Sequence, residues 1–314
     1  MADYREFTFP SSDGEHQVHA VEWLPEGAAP KAVLQLVHGI SEYILRYDDF
    51  ARFLAGHGVA VVGSDHLGHG GTARGREEYG FLAQKNGWDY LARDVHTLRE
   101  LKGKRYPGLP YFLMGHSMGS FVARTYLIRW PGTLSGCILS GTGQEPPALV
   151  AAGKGIASLL CRVKGPRSRS KLVMNLSTGA YNKKFAPTRT GADWISRDTA
   201  VVDAYVADPM CRFAPTVGMF RDMMDALQFI ADKGNLAAMD PDTPVYLFSG
   251  GQDPVGGMGS GVRKVFGFFQ SAGVKDLSMK LYPDGRHEML NELERDQVYR
   301  DVLAWLETHI QHAG

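Results

Sequence analysis

Three cysteines in 314 residues, Cys137, Cys161 and Cys211, are odd in number and far apart. They form neither a disulfide framework nor a zinc pattern, and buried thiols in a reducing compartment are the plainer reading. Net charge is missing too, since 34 Lys+Arg balance 34 Asp+Glu. Without a basic excess to hold a phosphate backbone, nucleic acid is not an expected partner. The longest stretch free of charged residues, Tyr106 to Ala123, is interrupted by Pro107, Gly108, Pro110, Gly115 and Gly119, so it is not a membrane span. The first residues, Met1-Ala2-Asp3-Tyr4-Arg5-Glu6-Phe7, put charges where a signal peptide needs an apolar stretch. A cytoplasmic protein is expected. Internal repeats and low-complexity tracts are also lacking.

What is present is an ordinary globular composition, 44% hydrophobic and 22% charged, which excludes a disordered or fibrous chain. A chain of this length buries roughly 75% of its unfolded surface and needs no metal or disulfide to fold. Short apolar runs alternate with helix-like segments. Strands are expected at 31–38, 59–64, 111–114, 134–140, 244–249 and 277–282. Helices are expected at 48–57, 88–102, 118–130, 262–272 and 297–310. This alternation predicts an α/β fold with a mostly parallel sheet and helices on both faces. The rhythm stops between Gly141 and Met239, where no strand is evident. The expected organisation is therefore a core of residues 1–140 and 240–314 with a helical insertion, 141–239.

Gly115-His116-Ser117-Met118-Gly119 fits G-x-S-x-G between an apolar strand and a helix, the context in which that pattern presents a nucleophilic serine. The turn is tight enough to strain the serine backbone and to demand small flanking residues. Such a serine needs a base, and the base an orienting acid, in the chain order Ser, acid, His. After Ser117 the histidines are His287, His309 and His312, and the last two lie at the chain's end. His287, in Tyr282-Pro283-Asp284-Gly285-Arg286-His287, is the expected base. Asp253 follows directly on the strand ending at Ser249 and is the expected acid. Asp284 is the alternative, read more readily as a turn former beside Gly285. The oxyanion donors are expected to be the backbone N–H of Met118, directly after the nucleophile, and that of Ile40, in the loop after the first core strand.

At this point three motifs combine. These are His38-Gly39-Ile40-Ser41-Glu42-Tyr43-Ile44-Leu45-Arg46-Tyr47, Asp65-His66-Leu67-Gly68-His69-Gly70-Gly71-Thr72 and Gly115 to Gly119. Together they resemble the monoacylglycerol lipase and lysophospholipase branch of the α/β-hydrolases, the serine aminopeptidase-like group. Val202-Asp203-Ala204-Tyr205-Val206-Ala207-Asp208-Pro209 resembles that branch's lid motif. Tyr43 stands where His is usual in it, and Thr72 where Ser is usual. The resemblance implies that Glu42 and Arg46 brace the oxyanion loop and that Tyr205 faces the polar end of the substrate. A surface ion pair and a packed core tyrosine are the plainer alternatives. It also implies a cofactor-free serine ester hydrolase, acting on monoacylglycerol-like, lysophospholipid-like or other small acyl esters. A short-chain carboxylesterase, an amidase or aminopeptidase, and a catalytically inactive ligand-binding protein are the other readings.

Asp65, His66 and His69 lack a further ligand cluster, so no metal is expected. In the insertion, Leu149, Ile156, Leu160 and Val163 fall near one helical face. That face either lines an acyl channel or packs the lid on the core. Arg162, Lys164, Arg167, Arg169 and Lys171 offer a transient contact to an anionic membrane surface, or form a solvated loop.

Overall fold

The computed structural model describes residues 4–177, 179 and 181–312; the start of the charged opening segment, Met1 to Asp3, lies outside them. Its strands and helices follow in the order β1 (Tyr4–Pro10), β2 (Gln17–Trp23), β3 (Ala32–Val37), α1 (Asp48–Gly56), β4 (Val59–Ser64), α2 (Gly87–Arg105), β5 (Tyr111–His116), α3 (Met118–Arg129) and β6 (Gly136–Ser140). After these come α4 (Pro147–Lys164), α5 (Lys171–Ser177), α6 (Thr199–Ala207), α7 (Val217–Phe229) and α8 (Lys233–Leu236), with no strand among the described residues between β6 and the next strand. The chain finishes with β7 (Val245–Gly250), α9 (Ser260–Ser271), β8 (Leu277–Tyr282) and α10 (Arg295–His312).

β3 to β7 are apolar at nearly every position because both sheet faces are covered. The eight strands form one sheet in the order β1-β2-β4-β3-β5-β6-β7-β8. β3 to β8 run parallel, as expected, while β1 and β2 add an antiparallel edge that the sequence reading did not anticipate. Leu91 of α2, Val122 of α3 and Phe269 of α9 cover one face. Phe50 and Leu54 of α1 and Val302 and Leu306 of α10 cover the other.

Strand order sets where chemistry can occur. Chain direction along the sheet reverses at β3, flanked by β4 and β5, which opens a crevice beyond the carboxyl ends of β3 and β5. The loop after β3 and the turn after β5 start side by side, since Val37 pairs with Gly115. The loops after β7 and β8 also start side by side, since Gly250 pairs with Tyr282.

α4 lies on α7, and the stretch between α6 and α7 meets the loop after β3 through Asp208 and Phe213. One fully buried side chain, Arg124 of α3, ties the chain just after β6 to the end of α7. The guanidinium donates to Gly143 O at 3.0 Å, Gln144 Oε1 at 3.0 Å and Ile230 O at 3.3 Å. Burial lowers its pKa to about 9.

Candidate active site

Ser117 occupies the single-residue turn from β5 into α3, with φ 53° and ψ −122°. This is the strained left-handed conformation that a sharp strand-to-helix reversal imposes. A Cβ at Gly115 would collide with the Gly119 carbonyl, and one at Gly119 with the Val37 carbonyl, so both flanks must be glycine. The turn is fixed by Ser117 N donating to Ser140 O at 2.9 Å and Ser120 Oγ donating to Ser117 O at 2.6 Å.

Nδ1 of His287 lies 3.0 Å from both carboxylate oxygens of Asp253. Asp253 is fully buried and also accepts from Val255 N at 2.9 Å and Ser249 Oγ at 3.1 Å. A carboxylate only accepts, so the imidazole carries its proton on Nδ1, and in the neutral ring Nε2 keeps the lone pair. Asp284, the alternative acid, lies exposed on the turn before His287. Burial alone would lower the His287 pKa. The charge and hydrogen bond of Asp253 outweigh it, with Glu288 and Glu42 adding, and the net shift is upward. The ring is packed between His116, with centroids 4.6 Å apart, and Trp194, at 5.0 Å.

The loop after β3 is held from two directions. On the core side, His66 donates its N–H to His38 Nε2 at 3.1 Å, and its ring Nε2 lies 2.9 Å from His38 O. His66 and His69 are driven down to about 3 and about 4 by burial, so both are neutral structural rings. Asp65 spends its oxygens on Ile44 N, Gly71 N and His19 Nδ1, at 2.7 to 2.8 Å. On the helical side, Ser41 Oγ donates to Phe213 O and Tyr43 OH to Asp208 Oδ2, both at 2.7 Å.

Inside this loop, Glu42 Oε1 accepts from Gly39 N and from Tyr47 OH. Its other oxygen accepts from Arg46 at 3.1 Å. Burial pushes the Glu42 carboxyl above its usual range, against the pull of Arg46. Arg46 also donates both guanidinium nitrogens to Glu288, at 2.8 and 2.7 Å. Burial disfavours the charge of Glu288, but Arg46 prevails and holds it well below the usual carboxylate range. The pair Glu42–Arg46 is thus buried, not a surface ion pair.

Two cavities meet at Ser117. One, of about 340 Å³, is largely apolar and is lined by Met118, Phe121, Leu149, Ile156, Met223 and Met224 among others. The second, of about 330 Å³, is lined by Glu42, Asn182, Tyr205, Arg212, His287 and Glu288 among others. Ile40, Ser117 and Trp194 border both. The ring of Tyr205 also lies 4.9 Å from the Arg46 guanidinium.

The α4 face that periodicity suggested is divided in the structure. Val150, Gly153 and Ala157 are the buried residues of α4, and the small ones let it approach α7 closely. Leu149 and Ile156 border the apolar cavity, whereas Leu160 packs half-buried on the main core and Val163 is 72% exposed. Two of the basic residues beyond α4 fasten to the core. Arg167 lies 3.9 Å over the Phe81 ring, and Arg169 donates to Tyr79 O at 2.6 Å. Trp194 and Glu288 were not singled out from sequence. Trp194 lies in a stretch without periodicity, and the one available signal for Glu288 was its position next to His287.

Residues 28–294 match the family described as serine aminopeptidase, S33. The monoacylglycerol lipase of Mycolicibacterium smegmatis is 30% identical, over 97% of this chain and 98% of its own. The human monoglyceride lipase is 26% identical, over 97% of this chain and 91% of its own. A thermostable carboxyl esterase from Bacillus coagulans, solved in complex with glycerol, superposes with a TM-score of 0.91 at 31% identity, covering 99% of each chain. With the doubly covered parallel sheet and the strained serine turn already in view, these matches place the chain in the serine aminopeptidase S33 family of α/β-hydrolases, next to the monoacylglycerol lipases.

Proposed function

We propose that this hydrolase cleaves monoacylglycerol-like, lysophospholipid-like or other small acyl esters through an acyl-enzyme on Ser117. The observation that carries the reading is the position of Ser117 at the junction of a largely apolar and a more polar cavity, with His287, held by Asp253 behind it, bordering the more polar one. The acyl chain enters the apolar side and the alcohol lies on the polar side. Ser117 Oγ attacks the carbonyl carbon while His287 Nε2 takes its proton. Asp253 stabilises the resulting imidazolium. Met118 N–H, at the first turn of α3, and Ile40 N–H receive the oxyanion. His287 then protonates the leaving alkoxide, and water repeats the sequence on the acyl-enzyme. Residues 141–239 act as the lid, and the exposed Leu149, Leu159 and Val163 on α4 make it the side that meets a lipid surface.

The glycerol held by the similar Bacillus coagulans esterase supports a small polyol as the alcohol. An aminopeptidase would need a carboxylate for the substrate ammonium. The two glutamates bordering the polar cavity, Glu42 and Glu288, are both engaged by Arg46. The test is kcat/KM on 1-monoacylglycerols and p-nitrophenyl esters from acetyl to dodecanoyl. We expect it to rise by up to a few-fold per methylene until the cavity is full. A flat or falling profile would replace this reading with a short-chain carboxylesterase.

A further inference from the structure

The loops carrying Ile40 and His287 spring from strands that are not neighbours. β3 and β8 are four steps apart in the order β3-β5-β6-β7-β8, roughly 19 Å at about 4.8 Å per step. The sheet fixes where each loop starts, not how their tips face one another. One side chain spans the interval. Arg46, in the 3-10 turn Ile44–Tyr47, donates to Glu42 in its own loop and, 242 positions along the chain, to both oxygens of Glu288.

We propose that Glu288 is a positioning residue for the ester hydrolysis described above: through Arg46 it locks the loop of His287 to the loop of Ile40, so base and oxyanion donor hold one relative geometry. This rests on the reading of Ser117, His287 and Ile40 as the reacting groups. Glu288 follows His287 directly, so a fixed carboxylate leaves the imidazole little room to swing. It is held from all sides, with Asn291 Nδ2 donating to Oε2 at 3.0 Å and its own N–H donating to Ile195 O at 2.7 Å. Arg46, Glu42 and Glu288 side chains are 11%, 5% and 7% exposed. A buried ion pair contributes little net stability over an apolar packing of the same volume. What a bidentate guanidinium–carboxylate pair supplies is direction. Gly39 N–H, bound by Glu42, is one residue before the proposed donor, so the strut ends at the oxyanion loop itself.

Glu288→Gln removes the charge and the two-pronged grip while keeping the shape. On a short ester we expect kcat to fall about 10²-fold, the effect of a misplacement near 1 Å, with KM within about twofold. Affinity for a trifluoromethyl ketone, which forms a tetrahedral adduct on Ser117, should fall in parallel with kcat/KM. The charged groups facing His287 are Asp253 from the loop after β7, Glu288 beside it, and Glu42 with Arg46 from the oxyanion loop; neutral His116 stacks from β5. Deleting one negative charge lowers the His287 pKa, so the acid limb of kcat/KM should move about one unit to lower pH. Glu288→Asp keeps the charge but shortens the reach, and should lower kcat with the acid limb in place. Glu42→Gln and Glu288→Gln should be less than additive, because both act through Arg46. Retention of kcat within about threefold in both Glu288 variants, or full additivity with Glu42→Gln, overturns the strut. Labelling of the wild type by a fluorophosphonate distinguishes the two ideas. An unlabelled wild type overturns the serine-esterase reading and the strut with it, while a labelled wild type with unmoved variants overturns the strut alone.

Discussion

On the sheet side of the cleft, Ser117, Asp253 and His287 project from loops at the ends of β5, β7 and β8, held by hydrogen bonds of defined direction. On the helical side, Ile156 of α4 and Met223 and Met224 of α7 meet the apolar cavity with hydrocarbon and thioether, which have no preferred partner. Hydrogen bonds weaken steeply with misalignment, whereas apolar contact follows area and tolerates a change of shape. The first side is therefore expected to decide whether a reaction occurs, and the second which acyl chain undergoes it.

The sharpest test of that division is on the sheet side. Ser117→Ala should abolish fluorophosphonate labelling and turnover. Asp253→Asn should lower kcat on the order of 10⁴-fold by favouring the wrong tautomer, while Asp284→Asn stays near the wild-type rate. Steady-state rates on p-nitrophenyl acetate check both, and a reversal of the two Asp variants would reassign the acid.

Next in size is a change confined to the helical side. Gly153 borders the apolar cavity, and a Cβ there would lie 3.1 Å from Met224 Sδ and 3.5 Å from Phe220 Cε1, so a larger side chain must displace the flexible Met224 or take up cavity space. Gly153→Leu should lower kcat/KM for dodecanoyl esters roughly 10- to 100-fold and leave acetyl esters within about threefold. Equal losses on both substrates would break the division. A milder contrast comes from α4. Ile156→Asp should erase the chain-length preference, whereas Leu160→Asp, which does not border the cavity, should act through stability and be read as a lowered Tm.

The smallest effect is on pH. The sequence alone sets the base near 6.5, the ordinary histidine value. Because the His287 pKa is raised in the fold, kcat/KM should climb with pH through an apparent value above 6.5. The linked stability runs the other way. A histidine raised on folding contributes stability that is complete below its unfolded pKa and lost as pH rises through the folded one. The Tm difference between wild type and Asp253→Asn should accordingly shrink from pH 5 to pH 9.

The same division governs what the sequence reveals. Buried parallel strands announce themselves as apolar runs, and the turn at Ser117 is local, so β3 to β8 and the serine were legible within a residue or two. β1 and β2 were not. Their alternation is blurred by His19 and by Glu22, which is buried because Lys102, Arg5 and Tyr106 all donate to it. Trp194 meets His287 across more than ninety positions, and Glu288 acquires its partner only when Arg46 folds against it. Leu160 shows the complementary failure. Helical periodicity marks a face as apolar but does not say where along it a cavity ends.

Arg124 carries a consequence of a different order. One guanidinium holds together Gly143, just after β6, and Ile230, which closes α7. On the proposed reading of these helices as a lid, a stretch from α4 to α7 fastened at both ends to the same side chain is expected to tolerate changes of length without moving a strand of the sheet. On that same reading, substrate range and reaction chemistry are expected to drift at different speeds within one gene, the first carried by a cassette and the second by its socket.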